Sequence, residues 1–261
     1  MKRTPLNEIP YDLPPEIEAL TRGAQIYDSS CSPEARVYLI DRDGGYYLKM
    51  APVGALKREA EMTAYFHALR LGAEVLCYQS GERDLLLTAR VRGEDCTYGQ
   101  YLDDPKRLCD TIAERLRLLH EVSPVGCPVS NHTARYIATV EENYRRGNYD
   151  KTQFPDAFGY KSAEEAIRVF DEGKHLFRCD TLLHGDYCLP NIMLDDWAFS
   201  GFIDLGNGGV GDRHVDLFWG AWTLWFNLKT NRYRDRFFDA YGRELVSEEI
   251  IRIVAAAEVF G

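Results

Sequence analysis

Three polar residues interrupt an apolar stretch between Thr181 and Asp216: Asp186, Asn191 and Asp204. Asp186 ends His184-Gly185-Asp186, just after the apolar pair Leu182-Leu183. Asn191 follows five positions later. Ile192–Leu194 and Gly201–Ile203 are short apolar runs around a polar turn at Asp195-Asp196, and Asp204 closes the second run. The segment reads as a loop, a short hairpin and a second loop. A carboxylate on a tight loop, a carboxamide soon after it and a second carboxylate at a strand end suit phosphoryl transfer. That reaction needs one group to orient and deprotonate an attacking hydroxyl. It also needs oxygen ligands for Mg²⁺ that leave room for phosphate oxygens. Asp186 suits the first role, and Asn191 and Asp204 suit the second. Such catalysis is mainly positioning and charge stabilisation, so few residues suffice.

The upstream chain supplies the elements that would hold a nucleotide. Ala24–Tyr27, Arg36–Ile40 and Tyr46–Met50 read as antiparallel strands, separated by a hydroxyl-rich turn at Asp28–Pro33 and a glycine turn at Asp43-Gly44-Gly45. Lys49 lies in the third strand. Taken alone, a strand lysine between apolar residues is a solvated, outward-facing residue. A partner is available, because Leu56–Leu71 carries a helical stripe of Met62, Tyr65, Phe66 and Leu69, with Gly72 at its end. Glu59 lies one turn before that stripe. A helix packed on the sheet brings Glu59 to Lys49, and the pair then points a fixed ammonium at an anion. Glu74–Tyr78 and Leu85–Ala89 add two strands, which makes a small lobe of five strands and one helix. Residues 1–22 are Pro-rich and read as a surface arm with a short helix near Glu16–Leu20.

Arg90–Glu94 breaks the strand pattern, and a domain boundary is expected near Gly93, dividing the chain into residues 1–92 and 93–261. The second part is mostly helical. Asp104 caps a helix opened by Pro105, with Leu108, Ile112, Leu116 and Leu119 as its apolar stripe and His120, near the carbonyl dipole, at its end. Thr133–Arg146 forms another helix. Ser162–Glu165 is a capping box that opens a third, with Ile167, Phe170 and Phe177 inward. The loop between them, residues 147–161, contains Asp150 and Asp156, and its length suggests a functional segment.

Composition narrows the function classes. The 261 residues are 45% hydrophobic and 28% charged, with a formal net charge of −10. The acidity argues against a nucleic-acid partner and is compatible with a cationic substrate. The seven cysteines are scattered singly, without a Cys-x-x-Cys pair, which suggests reduced thiols in the cytoplasm. The N-terminal stretch lacks the apolar core of a signal peptide, and no run reaches the ~20 apolar residues of a membrane span. A cytoplasmic location without membrane contact is therefore expected.

The motifs also carry a family resemblance. His184–Asn191, followed by Phe202-Ile203-Asp204-Leu205-Gly206, resembles the bacterial aminoglycoside 3′-phosphotransferases, which share the protein-kinase-like fold. Gly185 stands where protein kinases carry arginine, which points to the small-molecule branch. Ser32-Pro33 with Ala35 and Val37-Tyr38 resembles the family's nucleotide loop, and Leu85–Gly93 resembles its hinge. The resemblance implies a two-lobed α+β fold: an N-terminal nucleotide-binding lobe with a five-stranded antiparallel sheet and a helix, then a larger, mainly helical catalytic and substrate-binding lobe. It implies ATP as phosphoryl donor, with GTP as the alternative, and Mg²⁺. Tyr47 would stack on adenine, Ala89 and Val91 would offer hinge backbone groups, Ser32 would face the β-phosphate, and Lys49 would hold the α- and β-phosphates. Asp216 would be structural, buried at the start of the next helix.

The resemblance is weaker about the acceptor. Family members grip aminoglycoside ammonium groups with acids from the loop before the catalytic motif, from the helix after the metal turn and from the C-terminus. Asp156, Glu258 and the terminal carboxylate of Gly261 fall at matching places. The helix after Asp216 departs from the pattern, because Trp219, Trp222, Trp225 and Phe226 crowd it and Phe226 stands where the family tends to carry an acid. Some of these rings would be core, and the others would form a stacking wall for a sugar ring or a cation. The expected function is transfer of the γ-phosphate to the 3′-hydroxyl of an aminoglycoside, as in antibiotic resistance. Two alternatives remain open: a kinase for choline, a macrolide sugar or a peptide antibiotic, and a nucleotide-binding regulatory pseudokinase.

Overall fold

Tyr47 and Lys49 alternate with Leu48 and Met50 along one strand, so that strand can bury one face and keep a polar residue on the other. The computed structural model describes residues 3–31, 35–149 and 158–261. In chain order it begins with β1 (Thr4–Leu6), α1 (Pro15–Thr21), β2 (Gln25–Asp28), β3 (Arg36–Asp41), β4 (Tyr46–Ala51), α2 (Lys57–Ala68), β5 (Val75–Ser80), β6 (Asp84–Ala89) and β7 (Glu94–Asp95). It continues with α3 (Gly99–Leu102), α4 (Pro105–His120), α5 (His132–Arg146), α6 (Ala163–Gly173), β8 (Thr181–Leu183), β9 (Ile192–Asp195) and β10 (Ala198–Phe202). It closes with β11 (Gly209–Gly211), α7 (His214–Leu228), α8 (Arg234–Tyr241) and α9 (Glu248–Ala257). No helix among the described residues is long and apolar enough to cross a membrane.

The chain divides into two units, Met1–Tyr98 with Pro190–Gly206, and Gly99–Leu189 with Asn207–Gly261. The first unit carries an antiparallel sheet ordered β1-β2-β3-β4-β6-β5. Leu48 and Met50 enter its core beside Ile26, Tyr38, Ile40, Leu85, Leu87 and the Ile17 of α1. On the opposite face, Ala60 of α2 packs with Ala51, Leu56 and Leu86. The sheet has six strands where five were expected. The added strand is β1, which pairs Thr4–Leu6 with Ile26–Asp28 inside the expected surface arm. Pro5 hid it: proline weakens a strand signal, yet an edge strand accepts one.

The unit boundary also differs from the one expected at Gly93. The chain does not leave the first unit there, because β7 pairs with β9 and draws the β9–β10 hairpin into a second small sheet. Gly93 permits that approach. Its φ is +84°, and a Cβ at this position would lie 2.0 Å from the Leu194 carbonyl oxygen. The hairpin itself turns through Asp196 and Trp197, both with positive φ (46° and 69°). Phe202 N then donates to Leu71 O at 2.7 Å and ties the hairpin to the end of α2.

The second unit is a helical assembly. Asp104 accepts from Arg107 N to cap α4, and Ser162 accepts from Glu165 N to cap α6. Leu108, Ile112, Leu116 and Leu119 of α4 are buried, as their spacing requires. Another core joins Val140, Phe170, Ile253, Ala256 and Phe260 from α5, α6, α9 and the segment after it. Strands β8 and β11 pair beside these helices, Leu183 opposite Gly209. The loop that follows β8 carries Asp186.

Candidate active site

In the first unit the Lys49 ammonium lies between two carboxylates. It donates to Glu59 Oε1 and Oε2 at 3.0 and 2.8 Å and to Asp204 Oδ1 at 2.9 Å. Burial disfavours the charge on Lys49, but the carboxylates of Asp204 and Glu59 outweigh it and hold its pKa up at about 12. The solvated alternative for Lys49 is thus not what the fold adopts. Burial raises the Glu59 carboxyl, while Lys49 pulls it down. Arg58, the neighbour of Glu59 on α2, donates to the Gly206 carbonyl. This bond fixes the turn that follows Asp204.

Asp204 itself has φ +58°, a left-handed conformation uncommon for a residue with a side chain. Its side chain is half exposed. Asn191 is buried, and its carbonyl accepts from Ile203 N at 3.1 Å, one residue before Asp204. The hairpin ladder therefore delivers both residues to one end of β9 and β10. Their donors are carboxylate and carboxamide oxygens, with no thiolate or imidazole among them, which fits Mg²⁺. No group of three or more His, Cys, Asp or Glu among the described residues is placed to hold a metal ion by itself. Two protein oxygens match a metal that keeps water and phosphate as its other ligands.

The remaining nucleotide candidates are placed as follows. Tyr47 is half-buried on the same face of β4 as Lys49, and Arg3 donates to it and to Glu94 Oε2 at 3.3 Å. The Ala89 N–H is taken by the Glu74 carbonyl at 2.9 Å, so of the expected hinge groups that donor is already engaged. Val91 is half-buried, and its side chain approaches Gly201. Ser32 lies outside the described residues.

In the second unit a buried carboxylate shapes the loop that carries Asp186. Asp216, fully buried in the first turn of α7, accepts from His184 N at 2.7 Å, from Gly185 N at 2.8 Å and from His120 Nε2 at 3.2 Å. The carboxylate only accepts, so Nε2 carries the proton of His120. Its Nδ1 takes the Tyr241 hydroxyl at 2.8 Å, and the imidazole is neutral. Burial lowers the His120 pKa, although Asp216 opposes the shift. His120 ends α4 as expected, and its ring belongs to the buried support of the loop through Tyr241 and Asp216. Gly185 has φ +84°, and a Cβ there would lie 2.0 Å from Asn207 O, so only glycine fits. Beyond Asp186, Tyr187 OH donates to Ile112 O at 2.7 Å, and Leu189 N donates to Thr223 Oγ1 at 3.1 Å. The Cys188 thiol is hydrogen-bonded to Asp186 and Thr223, and burial pushes its pKa up.

The acceptor candidates also lie in the second unit. Glu258 Oε1 accepts from Tyr136 OH at 2.7 Å, and the indole of Trp219 bonds the same carboxylate. Burial raises the Glu258 pKa to about 7; these two hydrogen bonds oppose the rise, and the charge of Asp186 adds to it. Gly261 lies beside the Glu258 carboxylate. Phe226 is exposed and stacks on Trp222, with centroids 4.9 Å apart and planes 10° apart. Asp156 lies outside the described residues. Sequence reasoning missed Tyr136 and Thr223. Thr223 follows Asp216 by seven positions on an apolar helix, a spacing that puts both on one face and could have marked it. Tyr136 carries no such signal.

Comparison with known proteins shows the family. The profile of the phosphotransferase enzyme family matches residues 29–251. A probable aminoglycoside 3′-phosphotransferase of Lactococcus lactis subsp. lactis (strain IL1403) is 51% identical over 249 residues, covering 95% of each chain. An aminoglycoside 3′-phosphotransferase of Niallia circulans is 27% identical, covering 82% of this chain and 83% of its own. Among solved structures, an aminoglycoside-3′-phosphotransferase of type VIII superposes with a TM-score of 0.74 at 23% identity, over 94% of this chain and 97% of that one. APH(3″)-Id from Streptomyces rimosus ATCC10970, in complex with ADP and streptomycin, superposes with a TM-score of 0.69 at 22% identity, over 90% of each chain.

Proposed function

Because the chain belongs to the phosphotransferase enzyme family, we propose that it transfers the γ-phosphate of ATP to the 3′-hydroxyl of an aminoglycoside. The observation that carries this reading is the Lys49 ammonium fixed by both oxygens of Glu59 with Asp204 at 2.9 Å. A cation held in this way is preorganised for the α- and β-phosphates. Tyr47 gives the adenine a ring to stack on, and Ser32 faces the β-phosphate. The hinge contact comes from the backbone of Ala89 and Val91, through groups other than the engaged Ala89 N–H. Asn191 and Asp204 hold Mg²⁺, which neutralises charge on the transferring phosphoryl group. Asp186 accepts the proton of the attacking hydroxyl and aims its oxygen. Its backbone is held for that task by Asp216 through His184 and Gly185.

For the acceptor, Glu258 and Asp156 supply anionic partners for ammonium groups, with Gly261 beside Glu258, and Phe226 supplies a ring face. The wall is less acidic than a multivalent cation would demand, which favours a moderately cationic amino sugar. A coupled assay of ADP release with Mg²⁺ and a panel of acceptors tests the reading. Kanamycin-dependent turnover is expected. Turnover with choline or a macrolide alone would replace the acceptor, and nucleotide binding without turnover on any acceptor would replace the reaction.

Glu258 gives this reading a pH signature. An acid with its pKa raised to about 7 is half neutral near neutrality. Its charge, and with it ammonium recognition, grows as the pH rises from 6 to 8. KM for a cationic acceptor should therefore fall over that interval while acceptor amines remain protonated. Glu258→Gln should have a high KM and lose most of this pH dependence. A flat KM profile in the wild-type enzyme would remove Glu258 from the acceptor site.

A further inference from the structure

Tyr47 has a partner that lies outside every sequence motif. Arg3 stands just before β1, and its side chain is largely buried. Strand pairing puts Pro5, Tyr27, Leu39 and Tyr47 in one row across the sheet, so their side chains share a face. Arg3 precedes Pro5 by two positions and joins that face by alternation; Lys49 joins it in the same way from Tyr47. Three strand spacings, about 14 Å, separate β1 from β4. The Arg3 guanidinium nevertheless donates to the Tyr47 hydroxyl and reaches Glu94 Oε2 at 3.3 Å, 91 positions along the chain. The other oxygen of Glu94 lies 3.5 Å from Arg90 Nη2. Arg90 stands between the hinge residues Ala89 and Val91. Its N–H donates to Gly45 O at 3.0 Å, and a Cβ on Gly45 would lie 2.9 Å from its Cδ.

A tyrosine that is to stack on a base must hold its ring still, and a half-buried ring on a strand is fixed only where its hydroxyl is tied. We propose that Arg3 is a positioning residue for the nucleotide: it joins the Tyr47 hydroxyl to the hinge carboxylate Glu94 and so sets the Tyr47 ring for the purine before the nucleotide arrives. A ring ordered in advance spares binding the cost of ordering it. Glu94 is shared between Arg3 and Arg90, so the guanidinium charge is offset locally and adds little to the grip of Lys49 on phosphates. The Arg3 Nε–H is buried without an acceptor among the described residues. An orphaned donor is a cost, and packing alone gives no reason to keep it. The clamp rests on the reading of Tyr47 as the base platform, and it lies wholly within the first unit.

The test uses two probes, Mg·ATP and inorganic tripolyphosphate, which has no base. Equilibrium titrations and steady-state kinetics are run on the full chain as wild type, Arg3→Ala, Tyr47→Phe, the double variant and Tyr47→Ala. Arg3→Ala should raise Kd for ATP about fivefold, the scale of one lost hydrogen bond, and leave kcat and tripolyphosphate binding unchanged. Tyr47→Phe keeps the ring and loses the hydroxyl, so it should match Arg3→Ala. The double variant should be no worse than either, because both remove the same bond. A folding defect would lower kcat and weaken both probes together. Additive losses in the double variant, or a loss shared by tripolyphosphate, would overturn the clamp. An unchanged Kd in Arg3→Ala beside a raised one in Tyr47→Ala would overturn the clamp and leave the base platform in place. An unchanged Kd in Tyr47→Ala would overturn the platform and the clamp with it.

Discussion

Asp186→Ala lowers kcat by roughly 10²–10⁴-fold and leaves ATP binding nearly unchanged; this is the expected result of removing a positioned general base. The residues assigned to ATP, Lys49, Glu59, Asn191 and Asp204, all belong to the first unit, whereas Asp186 belongs to the second. Two of its contacts are local: the Cys188 thiol bonds the carboxylate, and its N–H meets His184 Nδ1 at 3.3 Å. Nothing in that set holds a phosphate. Asp204→Ala should behave differently, because it removes both a charged metal ligand and a partner of Lys49. Its Mg·ATP affinity should fall together with kcat. Equilibrium nucleotide titrations beside single-turnover kinetics distinguish the two variants. Equal loss of ATP affinity in both would contradict the division of roles.

Asp216→Ala should be the most damaging substitution outside the reacting groups. The carboxylate is fully buried and accepts three N–H groups, two of them from the backbone just before Asp186. Removing it leaves those donors without a partner in an apolar interior. Each buried donor left unsatisfied costs about 1–3 kcal/mol, and together they are a large share of a protein's net stability. The loop should also lose the geometry that aims Asp186, so kcat should fall more than KM for ATP rises. Asp216→Asn keeps one acceptor oxygen and should lie between the wild-type and alanine proteins on both scales. Thermal unfolding and steady-state kinetics on the same preparations give the comparison. A stable, fully active Asp216→Ala protein would refute the clamp.

The same cluster makes stability depend on acid. Burial acts to raise the Asp216 carboxyl, but the hydrogen bonds from His120 and from the Gly185 backbone prevail and hold it below its ordinary range. Its contribution is thus present above about pH 4 and is lost as the pH falls through the folded value. His120, lowered by burial, acts in the same direction at higher pH. Below about 6.5 the unfolded chain binds a proton that the folded site resists, so stability declines from there downward.

Periodicity and motif spacing made part of this legible. Alternation along Tyr46–Ala51 placed Lys49 opposite the sheet core, and the stripe on α2 placed Glu59 within its reach. A bidentate contact to Lys49 is what the fold forms. The approach of Asp204 to the same ammonium was not readable, because 155 positions separate the two residues and the contacts that bring them together, the β7–β9 pairing and the Phe202–Leu71 bond, are likewise distant in sequence. β1 escaped because it is three residues long and contains a proline. His120 looked like an ordinary helix-end histidine, since its partners, Tyr241 and Asp216, are 121 and 96 positions away. The partners of Glu258 were hidden for the same reason: local pattern reports which face a side chain takes, not which distant group it meets.

The grouping of Pro190–Gly206 with the first unit has a consequence for inheritance. A single recombination near residue 99 between two related genes would join Lys49 and Glu59 from one parent to Asn191 and Asp204 from the other. Such a chimera would mix the β7–β9 contact, where the Gly93 backbone allows no side chain, and the carboxylate pair around Lys49. A double crossover that carries residues 190–206 with the N-terminal segment would keep both intact. Shuffled libraries of relatives should therefore survive in pairs of linked blocks, with the second block only a hairpin long.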